Sequence, residues 1–467
     1  MKRPFLSLFI PNVIRYKYLF LLVLSLLLNV GAIPAIASTL PSVRLLGHVP
    51  TTALESSVFL GNLDEATHVP VTFILPLRNQ EALEELVQRI HDPSDREHYG
   101  KYLTSEQFVE QFAPSQEDYH KVIAYAKTLG FTVSNTHSNR TLLTVSGPAG
   151  SMETAFNLQL HTYQTASGRK FYAPNNNPEV PTSIASVISG VVGLDNHAVW
   201  RPFRQQKQVV EKLASSNTAS HTFPSGPGGG YSPSDILTAY NLAGVPADGS
   251  GQSIALFELA GYQVSDINAY TSQFGLPSAS LQNVLVDGGS TSGIDPEVAL
   301  DIELALAIAP KSKIYVYEGP NSYQGVLDTY NQIATDNLVS QVSTSWGLGE
   351  NFVSSQYLQA ENAIFLQMAA HGQTIYAAAG DSGAYDDYPY NNTLVVDDPA
   401  SQPYVVSVGG GRLTVNPTTC GYESESVWNN GLGNGAGGGG VSRVWAIPSW
   451  QKNVPTAYSN ALSLIHI

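Results

Sequence analysis

The chain has one cysteine, Cys420, in 467 residues, so no intrachain disulfide can staple it. A lone thiol does not settle the redox compartment, and its ordinary place is that of a small buried residue. Charge is also scarce: Asp, Glu, Lys and Arg together make up 13% of the chain, and 23 basic residues face 38 acidic ones. The net charge of −15 and the lack of any basic stripe argue against nucleic acid as a partner, because nothing is in place to neutralise phosphates. No internal repeat is evident, and after the first forty residues no run is apolar enough to cross a bilayer. Gly, Tyr, Ser and Asn are plentiful instead, a balance that suits a secreted globular protein better than a disordered one. Such an acidic, Lys-poor surface sheds much of its net charge in mild acid, which is compatible with work at low pH.

The length predicts two folded domains plus appendages. Lys2, Arg3, Arg15 and Lys17 precede an apolar run from Tyr18 to Val30, and Ala35-Ile36-Ala37 has small-residue spacing. Residues 1–37 therefore read as an export signal and imply a secreted, extracellular protein; the other reading is an uncleaved anchor, for which the run is short. Residues 40–202 read as an α+β module. Strands are expected at Val69 to Leu77, Phe131 to Ser134, Thr141 to Val145 and Leu158 to Tyr163, with helices at Gln80 to Ile90, Thr104 to Phe112, Ser115 to Leu129 and Ala149 to Phe156. Ser115, followed by Gln116-Glu117-Asp118, supplies an N-cap and an acidic first turn. Helices packed on one antiparallel sheet are expected.

Residues 203–230 are polar, basic at the start and rich in Pro and Gly at the end, as a linker and processing site would be. From residue 231 onward strands and helices alternate. Ser253 to Phe257, Lys313 to Tyr317, Val339 to Ser345 and Thr374 to Ala379 read as strands, and Val264 to Phe274, Glu297 to Ala309, Gly325 to Asn337 and Ser355 to His371 as helices. That order predicts a mainly parallel sheet with active-site groups at the carboxyl ends of its strands.

Four short segments carry candidate chemistry. Glu297 and Asp301, four residues apart in an apolar helix, share a face. Two carboxyls in a dehydrated site cannot both ionise easily, so one holds a proton and the pair can act as general acid and base. The other reading is an acidic first turn that the helix dipole favours, to which Asp295-Pro296-Glu297 lends support. Spacing leaves both open. Gly380-Asp381-Ser382-Gly383 follows a buried strand. It is similar to the nucleophile loop of chymotrypsin-like proteases, but those are all-β, so Ser382 is not read as a nucleophile. In the subtilisin-like fold the same strand end presents an Asn that donates to the oxyanion. Asp381 can do so only when protonated. Trp346, in Ser343-Thr344-Ser345-Trp346-Gly347, either lines a groove or fills core. Glu258 ends the first strand after the linker and says little alone. His371 sits late on a helix, not where a subtilisin base belongs.

Taken in order, Glu-x-x-x-Asp, Ser-x-Ser-Trp-Gly and Ala-Gly-Asp-Ser-Gly, with His98-Tyr99-Gly100-Lys101-Tyr102-Leu103-Thr104, Val192-Gly193-Leu194 and Pro448-Ser449-Trp450-Gln451, resemble the sedolisins, the serine-carboxyl peptidases, and most of all their kumamolisin branch. The resemblance spans about Val49 to Gln451. It implies an α/β subtilisin-like domain with a mainly parallel sheet, preceded by a ferredoxin-like α+β activation prodomain. It also implies an acid-acting endopeptidase made as a zymogen, whose own prodomain assists folding and covers the cleft, with extended polypeptides as substrates and a monomeric state. Carried over residue by residue, Glu297 and Asp301 become the acid/base pair of a Ser-Glu-Asp triad. Asp381 becomes the oxyanion acid, Glu258 an outer carboxyl and Trp346 a neighbour of the site.

The family's Ser-Gly-Thr-Ser phrase, which carries the nucleophile, does not occur in these residues, and neither does its Asp-rich calcium loop. Calcium is expected of the complete family domain, with no ligands here. The chain accordingly reads as a C-terminally truncated product, inactive as given, with an incomplete α/β domain at 231–467. The alternative is a catalytically dead homologue whose propiece binds or inhibits related proteases. Asn139-Arg140-Thr141 and Asn391-Asn392-Thr393 fit the glycosylation pattern.

Overall fold

A computed structural model describes residues 1, 41–202, 223–387, 393–431 and 434–452, and the backbone of 461–464. The expected export signal, most of the linker, Asn391-Asn392 and the end of the tail lie outside the described residues. The chain divides into Met1–Ser42 and Val43–Ile467, and the N-terminal module and the α/β region both belong to the second unit.

The N-terminal module grows from His68–Ile74, whose Val69, Val71 and Phe73 are fully buried. This strand pairs in antiparallel register with Leu142–Pro148 on one side and Gly190–Val192 on the other, and Thr132–Thr136 completes the sheet beyond Leu142–Pro148. Three helices separate the first two strands in sequence: Gln80–His91, Ser105–Gln111 and Gln116–Thr128. Their starts are chemically explicit. Thr104 and Gln107 form a reciprocal capping box, and Ser115 Oγ accepts from the Asp118 amide at 3.0 Å. Val122, Val145, Met152 and Phe156 close the core over Phe73.

One expectation is corrected here. The run at Leu158 to Tyr163 does form a strand, Leu160–Gln164, but it leaves the main sheet. It pairs with Val58–Asn62 and Lys170–Pro174 in a separate three-stranded sheet. Its side chains past Leu160 are only half-buried, which removes the reason to join the core sheet.

The α/β region is a six-stranded sheet in the order Ser280–Leu285, Lys313–Glu318, Ser253–Glu258, Gln341–Thr344, Thr374–Ala378, Val405–Val408, with every neighbouring pair parallel. Its central strands carry apolar residues buried on both faces, among them Ala255, Leu256, Phe257, Val342 and Ile375, as a covered parallel sheet requires. Helices Val264–Phe274, Pro296–Ile308, Tyr323–Asp336 and Ser355–Ala370 supply the crossovers. The two outermost strands, Ser280–Leu285 and Val405–Val408, were not foreseen. Neither contains a buried residue, so they lack the continuous apolar run of a central strand.

Helices Tyr323–Asp336 and Ser355–Ala370 lie between the sheet and the N-terminal module. Leu366 and Ala370 share a core with Leu83, Phe108 and Phe112, and the Leu103 amide donates to Ala370 O at 2.9 Å. Asn139 is fully buried at this interface, donating to Asn331 at 2.6 Å and Gln367 at 2.8 Å. A glycan on Asn139 is therefore incompatible with the packed form.

Candidate active site

Parallel strands bring their carboxyl ends to one edge, and three neighbouring strands deliver polar groups there. Glu258 is the last residue of Ser253–Glu258. Ser345 and Trp346 follow Gln341–Thr344, and Asp381 follows Thr374–Ala378. The helix Pro296–Ile308 adds Glu297 and Asp301 from beside the sheet. Its start is fixed by Pro296 in the first turn and by Asp295, which accepts from the Glu297 amide at 2.9 Å.

Burial decides between the two readings of Glu297. An acid that merely decorates a helix start stays in water, but Glu297 is 2% exposed and Glu258 0%. Glu258, Asp301 and Glu297 interact with one another, and Glu258 shares a carboxyl–carboxyl hydrogen bond with Asp301. Trp346 Nε1 donates to Glu258 Oε2 at 2.9 Å, and Ser345 Oγ donates to Asp301 Oδ1 at 2.9 Å. Burial pushes Glu258 well above the usual carboxyl range, and the charge of Asp301 adds to it. Burial likewise raises Asp301 to about 6, against the donors of Ser345, Glu258 and Glu297, which favour its ionised form. The cluster thus holds protons in mild acid that exposed carboxyls would have lost.

Asp381 occupies a different wall of the same edge. Gly380 has φ of +99°, and a Cβ there would press on Asp386 Oδ1 at 2.5 Å, so the turn that aims Asp381 requires glycine. The loop around Ala436 lies across it: the Ala436 amide donates to Asp381 O at 2.9 Å and the Gly438 amide to Gly380 O at 2.8 Å. Gly438 passes so close to Ala379 O that no side chain fits. Burial raises the Asp381 carboxyl above its ordinary value. Behind it Asp386 is raised to about 6, chiefly by burial, with Arg201 opposing and the charges of Asp387 and Asp381 adding.

The chain itself runs along this edge. Arg201–Pro202 pairs antiparallel with Trp346–Gly349, Pro202 opposite Trp346. Arg201 donates from Nη2 to Asp386 O at 3.0 Å.

A buried, proton-sharing carboxyl cluster at a parallel-sheet edge, with an α+β module ahead of it, matches the expected motif order, and sequence comparison decides the matter. The profile described as "Pro-kumamolisin, activation domain" matches residues 55–197. Kumamolisin from Bacillus sp. (strain MN-32) is 34% identical over 424 residues, covering 88% of this chain and 74% of that protein. The chain belongs to the sedolisin family, the serine-carboxyl peptidases. Sedolisin from Pseudomonas sp. (strain 101) is 30% identical over 412 residues, covering 84% of this chain and 68% of that one. The solved Pseudomonas sedolisin (serine-carboxyl proteinase), complexed with two molecules of pseudo-iodotyrostatin, aligns with a TM-score of 0.45 at 30% identity, over 50% of this chain and 69% of that one.

Within this sedolisin-family chain the structure brings Glu258, Glu297, Asp301 and Trp346 together and sets Asp381 on a neighbouring strand end. Two polar residues at the edge escaped the sequence reading. Ser345 was visible only as part of the Ser-x-Ser-Trp-Gly phrase. Glu318, at the end of Lys313–Glu318, accepts from the Ser290 amide at 3.1 Å and is raised by burial. The Ser290 contact is set by a loop that no local pattern announces. Among the described residues no group of three or more His, Cys, Asp or Glu side chains is placed to hold a metal ion. Among them, too, no helix is long and apolar enough to cross a membrane.

Proposed function

We propose that this chain belongs to a secreted zymogen of an acid-acting serine-type endopeptidase. Glu297 and Asp301 are its acid/base carboxyls, Glu258 and Trp346 extend their proton network, and Asp381 is the oxyanion-stabilising acid. The observation that carries the reading is the burial of Glu258 and Glu297 against Asp301, in a chain that shares 34% identity with kumamolisin. General base catalysis needs a carboxylate that takes a proton near the working pH, and an Asp raised to about 6 meets that need.

In this scheme a seryl hydroxyl gives its proton to the carboxyl pair as it attacks the scissile carbonyl. The developing oxyanion accepts a hydrogen bond from protonated Asp381, and the leaving amine takes the proton back. The Ser-Gly-Thr-Ser phrase that carries the family's nucleophile does not occur in these 467 residues, and in this scheme the Ser lies outside them. The prodomain acts as intramolecular inhibitor, a role supported by Arg201–Pro202 lying in strand pairing beside Trp346.

The test is to read the transcript past codon 467, express the translated product, and follow new amino termini on an unfolded protein substrate across pH. Acid-dependent cleavage that falls by about 10²-fold or more in Glu297→Ala or Asp301→Ala is expected. Cleavage that is indifferent to both carboxyls sinks the reading. A product that cleaves nothing but inhibits a related acid peptidase establishes the alternative, a protease-binding propiece.

A further inference from the structure

Two adjacent residues serve two members of the carboxyl cluster. Trp346 donates through Nε1 to Glu258 Oε2 at 2.9 Å, and its neighbour Ser345 donates through Oγ to Asp301 Oδ1 at 2.9 Å. The segment is held rigidly. Gln341–Thr344 lies between parallel partners Ser253–Glu258 and Thr374–Ala378, and the Trp346 amide donates to Thr344 Oγ1 at 3.2 Å.

Each donor takes one oxygen and leaves the other. Asp301 Oδ2 and Glu258 Oε1 are buried and receive no donor from outside the carboxyl cluster. A protonated carboxyl carries its hydrogen on one oxygen and accepts on the other. With Oδ1 engaged by a hydroxyl, the exchangeable proton of Asp301 is confined to Oδ2. The ionisable groups facing Asp301 are Glu258, from the adjoining strand, and Glu297, from its own helix; Ser345 is the neutral donor.

We infer that Ser345 is a positioning residue for Asp301: its hydroxyl fixes which carboxyl oxygen trades protons with Glu258 and Glu297, and it stabilises the ionised form. The role deepens the peptidase reading above and rests on it for its functional meaning. It is distinct from that of Trp346, which acts on Glu258. Ser345 does not touch the reacting atoms in this account. It acts through Asp301, so its removal changes when Asp301 ionises and not merely how well the protein folds.

The experiment is a titration of the Asp side-chain carboxyl carbons by NMR in the full chain labelled at Asp, Asp301 being assigned by its loss in Asp301→Asn. Three variants are compared with the parent. Ser345→Thr keeps the hydroxyl, Ser345→Val has the shape of Thr without it, and Ser345→Ala removes it with least bulk. Loss of one hydrogen bond to a charged acceptor raises the Asp301 midpoint by about one pH unit in the Val and Ala variants, while Thr titrates as the parent does. Below the Asp301 midpoint the melting temperatures of Val and Thr should agree, whereas above it Val should melt lower, because a raised native midpoint costs stability once the unfolded carboxyl ionises. If Val and Thr titrate alike, or Ala leaves the midpoint unmoved, the positioning role is wrong. The readout needs no turnover: carboxyls that shift as expected here, while the product translated past codon 467 cleaves no peptide, uphold the role and remove the peptidase reading. Cleavage with unshifted carboxyls does the reverse.

Discussion

At the scale of single residues, the oxyanion role proposed for Asp381 ties activity to one proton. A carboxylate repels an oxyanion and a carboxylic acid donates to it, so its service depends on staying protonated. Burial raises its ionisation above the ordinary carboxyl value, so the donor persists further up the pH scale and is lost as pH rises through that raised value. Asp381→Asn keeps a donor at every pH. In the complete enzyme the fall in kcat toward neutrality should therefore flatten, whereas Asp381→Ala should lose about 10²-fold or more in acid. A pH–rate profile for Asp381→Asn that overlays the parent removes the oxyanion role. The sequence named Asp381, Glu258, Glu297, Asp301 and Trp346. It could not choose between a buried pair and a solvated helix start, since i, i+4 spacing is the same in both.

Among the elements, helix Ser355–Ala370 carries a second carboxyl pair that no mechanism uses. Glu361 and Asp398 are both fully buried. Gln402 Nε2 bridges them at 2.8 and 2.9 Å, and Tyr357 donates to Glu361 at 3.1 Å. Burial and mutual repulsion hold Glu361 well above the carboxyl range, and burial raises Asp398 to about 6. Both values are raised, so the pair's contribution is fully present below the unfolded carboxyl range and is lost as pH rises through about 6. Glu361→Gln keeps a hydrogen-bonding group without the second charge. Thermal unfolding of this variant should lose less stability between pH 5 and 8 than the parent, by about 1 kcal/mol or more. Equal slopes in the two proteins dismiss the pair as a source of alkaline instability. Helices were legible because Thr104 and Ser115 announce their starts and apolar residues recur at helical spacing. The strand Gly190–Val192 and the sheet's outer strands were not, because three residues or an edge with no buried position carry too little pattern.

For the whole molecule, the N-terminal module meets the α/β region through polar groups, the innermost of them buried. His137 Nε2 meets Asp328 Oδ1 at 2.9 Å, Asn135 reaches Asp287 at 3.0 Å and Asp328 at 3.3 Å, and Asn139 spans Asn331 and Gln367. Asn139→Ala strands two buried amides and should cost about 1–3 kcal/mol of the closed form, read as faster hydrogen exchange at residues 135–141. An unchanged exchange rate there contradicts the network's importance. His371 adds a pH term. It is buried against Phe108, its Nδ1 donates to Ala334 O at 3.0 Å, and burial lowers it to about 4. A lowered histidine means the packed form resists protonation, so closure weakens as pH falls from about 6.5, the exposed value, toward 4. His371→Gln should reduce the acid sensitivity of that exchange, and equal sensitivity in variant and parent rules His371 out.

By itself the sequence determined the family and singled out the candidate site carboxyls, because short motifs in fixed order and helix caps are local and need no partners. Only the tertiary structure decided that Glu258, Glu297 and Asp301 meet in one dry cluster, that Ser345 holds Asp301, and that Asn139 is an interface residue. Burial is the physical reason. A carboxyl's proton affinity, or an asparagine's access to solvent, is set by what residues 40 to 230 positions away place around it, and no local pattern records that distance.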